Sequence, residues 1–191
     1  MKKGLYLCSR MDRYPEFDIV YNDVESKFLI DLDVTKKQCC DCRGLLNNQV
    51  LKNFDFLIAT PPCNFYSRAN YRRWTSQIAL STKDLLPLCL SAFIQSCKPF
   101  LVENVNNKSL LPVEFDKFCY RFNFGGHTFF TNVYFDISDL TAKHENKQFV
   151  CRSKRDGNYN VHVIIDRFLY VIHHSYCFKP IVLLEPLIVD L

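Results

Sequence analysis

Two short apolar runs, at residues 54–59 and 99–102, stand on either side of segment 74–97, where Ile78, Leu85, Leu86, Leu88, Cys89, Ala92, Phe93 and Ile94 recur at helical spacing. Apolar runs this short, bounded by charged residues, suit buried strands. A strand, a long crossover and a second strand make a βαβ unit with parallel strands. Pro87 is expected to kink the helical segment. Further runs of strand length lie at residues 4–8, 17–21, 27–30, 128–135 and 161–165, the last leading into a helix that ends near Cys177. The fold class is therefore α/β with a mostly parallel sheet, and 191 residues read as a single domain over 1–191. Ligands of an open parallel sheet collect beyond the carboxyl ends of its strands, so the residues after each run deserve inspection.

Hydrophobic residues make up 48% of the chain and charged residues 23%, which excludes a disordered or collagen-like chain, and no internal repeat marks a solenoid. A chain of this size buries a core without cross-links, so its 10 cysteines are expected to be reduced thiols in a cytoplasmic or nuclear compartment. No uninterrupted apolar stretch approaches the ~18 residues of a membrane span, and no membrane partner is expected. The net charge of +4 permits nucleic-acid binding without demanding it. Abundant Asn, Lys and aromatic residues fit an AT-rich viral or mobile gene.

The chemistry gathers after two of the runs. Residues 54–59 are followed by Thr60-Pro61-Pro62-Cys63-Asn64-Phe65-Tyr66-Ser67, and residues 99–102 by Glu103-Asn104-Val105. Consecutive prolines fix φ and remove two N–H donors, which holds Cys63 in a set geometry as a candidate nucleophile. A lone cysteine after a Pro-Pro turn is more often an inert buried thiol. A glutamate ending the neighbouring strand changes that balance.

These segments resemble motifs of the DNA (cytosine-5) methyltransferases. Thr60-Pro61-Pro62-Cys63 with Tyr66-Ser67 is similar to their Pro-Pro-Cys-x-x-Phe-Ser loop, and Leu101-Val102-Glu103-Asn104-Val105 to their Glu-Asn-Val motif. A weaker similarity covers residues 126–132, where the family carries arginines and this chain has His127 and Thr128. The resemblance implies a Rossmann-like sheet of the S-adenosylmethionine-dependent methyltransferase type, minimal and without a large target-recognition domain. It implies Cys63 as the nucleophile, Glu103 as the partner of ring nitrogen N3, and Asn104 as a support for the loop or ring. It further implies S-adenosylmethionine as cofactor and DNA as partner. Ser67, Arg68, Arg72 and Arg73, interleaved with Tyr71 and Trp74, are then candidates for backbone phosphates and neighbouring bases. For the donor, Asp23 is placed to take ribose hydroxyls, Asp31 or Asp33 to face adenine, and Pro61 to border the site.

One departure is plain. No glycine follows Gly4 in the stretch Leu5 to Arg13, where the family has a Gly-rich turn, so the donor site is expected to be abbreviated or lost. That favours the alternative, a catalytically inactive homologue acting as a DNA- or protein-binding module, and leaves room for a partner chain to supply missing parts. Cys39 and Cys42 have the spacing of a zinc pair, but His173, His174 and Cys177 complete it poorly, and no metal is expected. The basic run Lys143, His144, Lys147, Arg152, Lys154 and Arg155 reads as an exposed loop with phosphate contact as the other option.

Overall fold

Leu5, Tyr6 and Leu7 are consecutive side chains with no solvent exposure. A strand buried on both faces requires helices on both sides of its sheet. The structure, a computed structural model, describes residues 1–10, 12–134, 136–138 and 154–174, with side chains of the last segment described from residue 161. Its strands are β1 (Lys3–Leu7), β2 (Asp18–Asp23), β3 (Lys37–Cys39), β4 (Phe56–Ala59), β5 (Phe100–Val105), β6 (Tyr120–Phe124) and β7 (His127–Thr131). The helices are α1 (Asn48–Leu51), α2 (Gln77–Thr82), α3 (Leu85–Gln95) and α4 (Lys154–His174). The seven strands form one sheet in the order β3-β2-β1-β4-β5-β7-β6. β3, β2, β1, β4 and β5 pair in parallel, and β7 runs antiparallel between β5 and β6. This is the doubly wound order 3-2-1-4-5-6 with one antiparallel strand inserted before the last, an α/β sheet compatible with a Rossmann-like fold.

Alternation along the strands divides the core. Leu5, Leu7, Leu57, Ala59, Phe100 and Val102 face α3, which presents Leu86, Cys89, Leu90 and Phe93. Tyr6, Ile19, Phe56, Ile58, Leu101 and Phe129 face α4, which presents Ile164, Ile165, Phe168 and Leu169. Each such side chain contributes about 1.5–3 kcal/mol on burial, so the helices hold the sheet from both sides.

Several expectations need correction. Residues 161–165 lie inside α4: Val161, Ile164, Ile165, Phe168, Leu169 and Ile172 follow a 3.6-residue period that a five-residue window hides. Residues 27–30 form no strand; Ser26–Phe28 is a 3-10 turn, and the edge strand falls later, at β3. The helical segment is interrupted at Lys83 and Asp84, three to four residues before Pro87, where a proline ring clashes with the preceding turn, and Pro87 itself lies in the first turn of α3. The stretch Gln77–Gln95 is long and apolar enough, by length and composition alone, to cross a membrane, although Lys83 and Asp84 interrupt it. Here the inner side of α3 packs on the sheet. The side chains of the basic run and Cys177 lie outside the described residues.

The loop after β1 is pinned by polar groups. Tyr6 Oη donates to Asp12 Oδ2 at 2.9 Å, His162 Nε2 lies 3.1 Å from Asp12 Oδ1, and Tyr14 Oη lies 2.9 Å from His162 Nδ1. The hydrogen bond to Asp12 raises the His162 imidazole above its ordinary 6.5. A raised folded-state value stabilises fully below the unfolded value and is lost as pH rises through the folded one. Asp12→Asn is therefore expected to lower the urea midpoint more at pH 5.5 than at pH 9, and an equal penalty at both would contradict this clasp.

Gly4 is required by close packing. A Cβ there would lie 2.2 Å from the ring of Phe56, its partner across the β1·β4 ladder. Gly4→Ala is expected to cost about 1–3 kcal/mol in urea unfolding, with Phe56→Leu recovering part of the loss in the double variant.

Candidate active site

Leu7 pairs with Ala59 and Ala59 with Val102, so β1, β4 and β5 end at one level. The loop carrying Cys63 leaves β4 beside Glu103, which is near the end of β5. Two buried asparagines tie these segments together. Asn104 Nδ2 donates to the Pro61 carbonyl at 3.1 Å, and Asn107 Nδ2 donates to the Tyr66 carbonyl at 2.8 Å. Inside that clamp the Ser67 N–H closes a turn onto the Cys63 carbonyl at 2.8 Å. Thr60 fastens the start of the loop to the end of β1, its hydroxyl donating to the Cys8 carbonyl at 2.9 Å. The sequence pointed to Asn104 but not to Asn107, whose only signal is its place just past the Glu-Asn-Val triplet.

Cys63 is partly buried, and Glu103 is 9% exposed. Burial pushes the Cys63 thiol up, the Glu103 carboxylate adds to that shift, and the Arg10 guanidinium opposes it. Glu103 Oε1 is held 2.5 Å from His127 Nδ1.

A cavity of about 410 Å³ opens at the point where strand order reverses between β1 and β4, lined by Pro62 and Asn64 on either side of Cys63 but by neither Cys63 nor Glu103. Its walls come from the ends of four parallel strands, including Cys8 and Arg10, Asp23 and Glu25, Cys42, and Thr60 and Pro62. The glycine-free loop turns by placing Cys8 (φ 57°) and Arg10 (φ 49°) in the left-handed region. Such residues cost roughly 1–2 kcal/mol each and persist only when neighbours enforce them. The Ser9 N–H bonds the Asn22 carbonyl at 2.9 Å, and the Arg10 N–H bonds Asp23 Oδ2 at 3.0 Å. A cavity is thus present beside this loop although no glycine supplies the turn. A larger depression of about 540 Å³ along the outer side of α3 lies away from the strand ends and holds no cysteine or histidine.

The remaining candidates fall in different places. Asp23 lines the cavity, but its Oδ1 accepts from the Glu25 N–H and its Oδ2 from Arg10. Asp31 ends no strand and sits apart from the cavity walls, ion-paired with Arg13 at 2.7 Å. Pro61 is buried, its carbonyl spent on Asn104. Arg68 and Arg72 are exposed, Arg72 lying 5.3 Å over the Tyr71 ring. Arg73 instead turns back to donate to the Ser67 carbonyl at 2.7 Å. Trp74 is 63% exposed while its ring packs edge-on against Phe65 at 4.8 Å. The imagined zinc halves lie on opposite faces. Cys42 meets the Cys8 and Cys89 thiols on the α3 side, and His173 packs on Phe17 and Phe56 on the α4 side.

The thiol environment is open to direct measurement. Alkylation of Cys63 by iodoacetamide, followed by peptide mass, is expected to keep accelerating past pH 9, with a lower midpoint in Glu103→Gln and a higher one in Arg10→Ala. A wild-type midpoint below 9 would rule out the burial described here. Compared with known proteins, the chain matches no family model and no curated protein.

Proposed function

We propose that this chain is a DNA cytosine C5 methyltransferase-like enzyme, with a sheet of the S-adenosylmethionine-dependent methyltransferase type. The carrying observation is the convergence of a Pro-Pro-held thiol and a nine-tenths buried carboxylate at the ends of paired parallel strands. Cytosine C5 is a weak nucleophile, and a thiolate added at C6 makes it a strong one. Bringing a base to such a cleft requires flipping it from the duplex, for which Arg68, Arg72, Tyr71 and Trp74 offer exposed cationic and aromatic surface.

The fit of the methyl donor rests on the neighbouring cavity. Its volume suits a nucleoside-bearing ligand, with Glu25 for hydroxyls and Phe28, Ile78 and Leu85 for an apolar wall. When bound, S-adenosylmethionine supplies the methyl group that C5 receives. Cys63 Sγ bonds to C6, Glu103 gives its proton to N3, and the C5–C6 electron pair is left on C5. Later loss of the C5 proton to solvent, return of the N3 proton to Glu103 and departure of the thiolate restore the ring. The two protein groups assist each other. Once Glu103 carries a proton, the negative charge that holds the Cys63 thiol up is gone, and the nucleophile ionises more readily.

A second reading, a non-catalytic DNA- or protein-binding module, draws support from Asp23, whose carboxylate oxygens both already serve backbone N–H groups. Duplex DNA containing 5-fluorocytosine separates the two. The enzyme is expected to form a denaturation-resistant adduct that requires S-adenosylmethionine and vanishes in Cys63→Ala, whereas DNA binding without an adduct favours the module. S-adenosylhomocysteine at 100 times its Kd is expected to stabilise the fold by about 2.7 kcal/mol in thermal unfolding. No shift would remove the methyl donor, and an adduct formed without donor would indicate other chemistry at C5.

A further inference from the structure

Glu103 has a partner supplied by a turn. Gly125 (φ 56°) and Gly126 (φ 85°) are both left-handed, as the central pair of a tight two-residue hairpin requires, and they set Phe124 opposite His127. The Asn106 N–H fastens that turn to the end of β5 through the Gly126 carbonyl at 3.0 Å. On the other side β7 pairs Val105 with His127 and Glu103 with Phe129. Residues directly opposite point to the same face, so Glu103 and His127 are diagonal neighbours on one face, within reach of long side chains. Phe122 and Phe129 stack at 5.3 Å alongside, and the His127 ring lies 6.5 Å from that of Phe129. The two polar side chains are only 11% and 19% exposed.

The carboxyl oxygens of Glu103 are consequently unequal. Oε1 lies 2.5 Å from His127 Nδ1, while Oε2 has no hydrogen bond among the described residues. A carboxyl free to rotate would present either oxygen to a base; one gripped at Oε1 presents Oε2. Resting on the roles given above to Cys63 and Glu103, we propose that His127 is the positioning residue for Glu103. Its Nδ1 shares a proton with Oε1 and fixes Oε2 as the oxygen offered to ring nitrogen N3. His127 acts through Glu103 and touches no reacting atom.

Exchange of the cytosine C5 hydrogen with water tests this without any methyl donor. After Sγ bonds to C6, C5 takes a proton from water; loss of either C5 hydrogen to water as a proton, with departure of the thiolate, then restores the ring. With C5-tritiated DNA, His127→Leu is expected to lower kcat for exchange about 100-fold with KM for DNA within about twofold. His127→Asn, which keeps a side-chain N–H near the Nδ1 position, is expected to restore most of the rate. In a Glu103→Gln background His127→Leu is expected to add no further loss, which covers the case of a poorly folded single variant. A wild-type rate in His127→Leu, equal losses in the Leu and Asn variants, or an effect on KM alone would overturn the inference and spare the Cys63 assignment. A wild-type protein that neither exchanges C5 hydrogen nor forms the fluorocytosine adduct overturns both.

Discussion

Parallel pairing in the middle of the sheet is the constraint from which the rest follows. With Leu7, Ala59 and Val102 aligned across β1, β4 and β5, three chain segments must leave the sheet at one edge and at one height. Burial enforces the alignment, because Leu7, Ala59 and Val102 have no solvent exposure and a one-residue slip would exchange their faces. The thiol loop, the acidic strand end and the cavity are neighbours because their strands cannot slide.

Polar side chains then do locally what glycine or longer loops do elsewhere. Asn22 receives the Cys8 N–H at its Oδ1 and donates from Nδ2 to the Gln38 and Cys40 carbonyls, joining the ends of β1, β2 and β3. Asn104 and Asn107 hold the loop around Cys63 from inside the core. A buried amide left without its partner costs about 1–3 kcal/mol, so each clamp resists opening by a substantial share of a small domain's stability. The site is therefore held firmly at its base, while Arg68, Tyr71 and Arg72, a few residues past Cys63, are exposed.

What was legible in the sequence was whatever burial writes as a run. The strands β1, β4 and β5 are apolar on both faces and stood out, and with them the positions of Cys63 just past β4 and Glu103 near the end of β5. Edge strands were not legible: β6 reads Tyr-Arg-Phe-Asn-Phe with only Phe124 buried, and β3 has three residues with none buried. α4 was misread because its apolar residues cluster as Val161, Ile164 and Ile165 before the helical period completes at Phe168 and Leu169. The turn after β1 was judged by the absence of glycine, and backbone hydrogen bonds to Asn22 and Asp23 supplied the left-handed geometry instead. The pairing of His127 with Glu103 depends on strand order, which no local pattern reveals.

The Gly125-Gly126 hairpin works as a gauge as well as a turn. Along β7 side chains alternate, with His127 and Phe129 on one face and Thr128 and Phe130 on the other. The parity of the β7 pairing thus decides whether an imidazole or a hydroxyl stands on the same face as the carboxyl of Glu103, diagonal to it. Because Thr128 is fully buried and its hydroxyl is committed to Asn123 at 2.6 Å, the neighbouring residue cannot substitute by a small adjustment. The chemistry at the strand ends is in this sense indexed by a two-residue count made at the far side of the sheet, so descendants of this chain are free to vary the surface of β6 but not the phase in which it hands the backbone to β7.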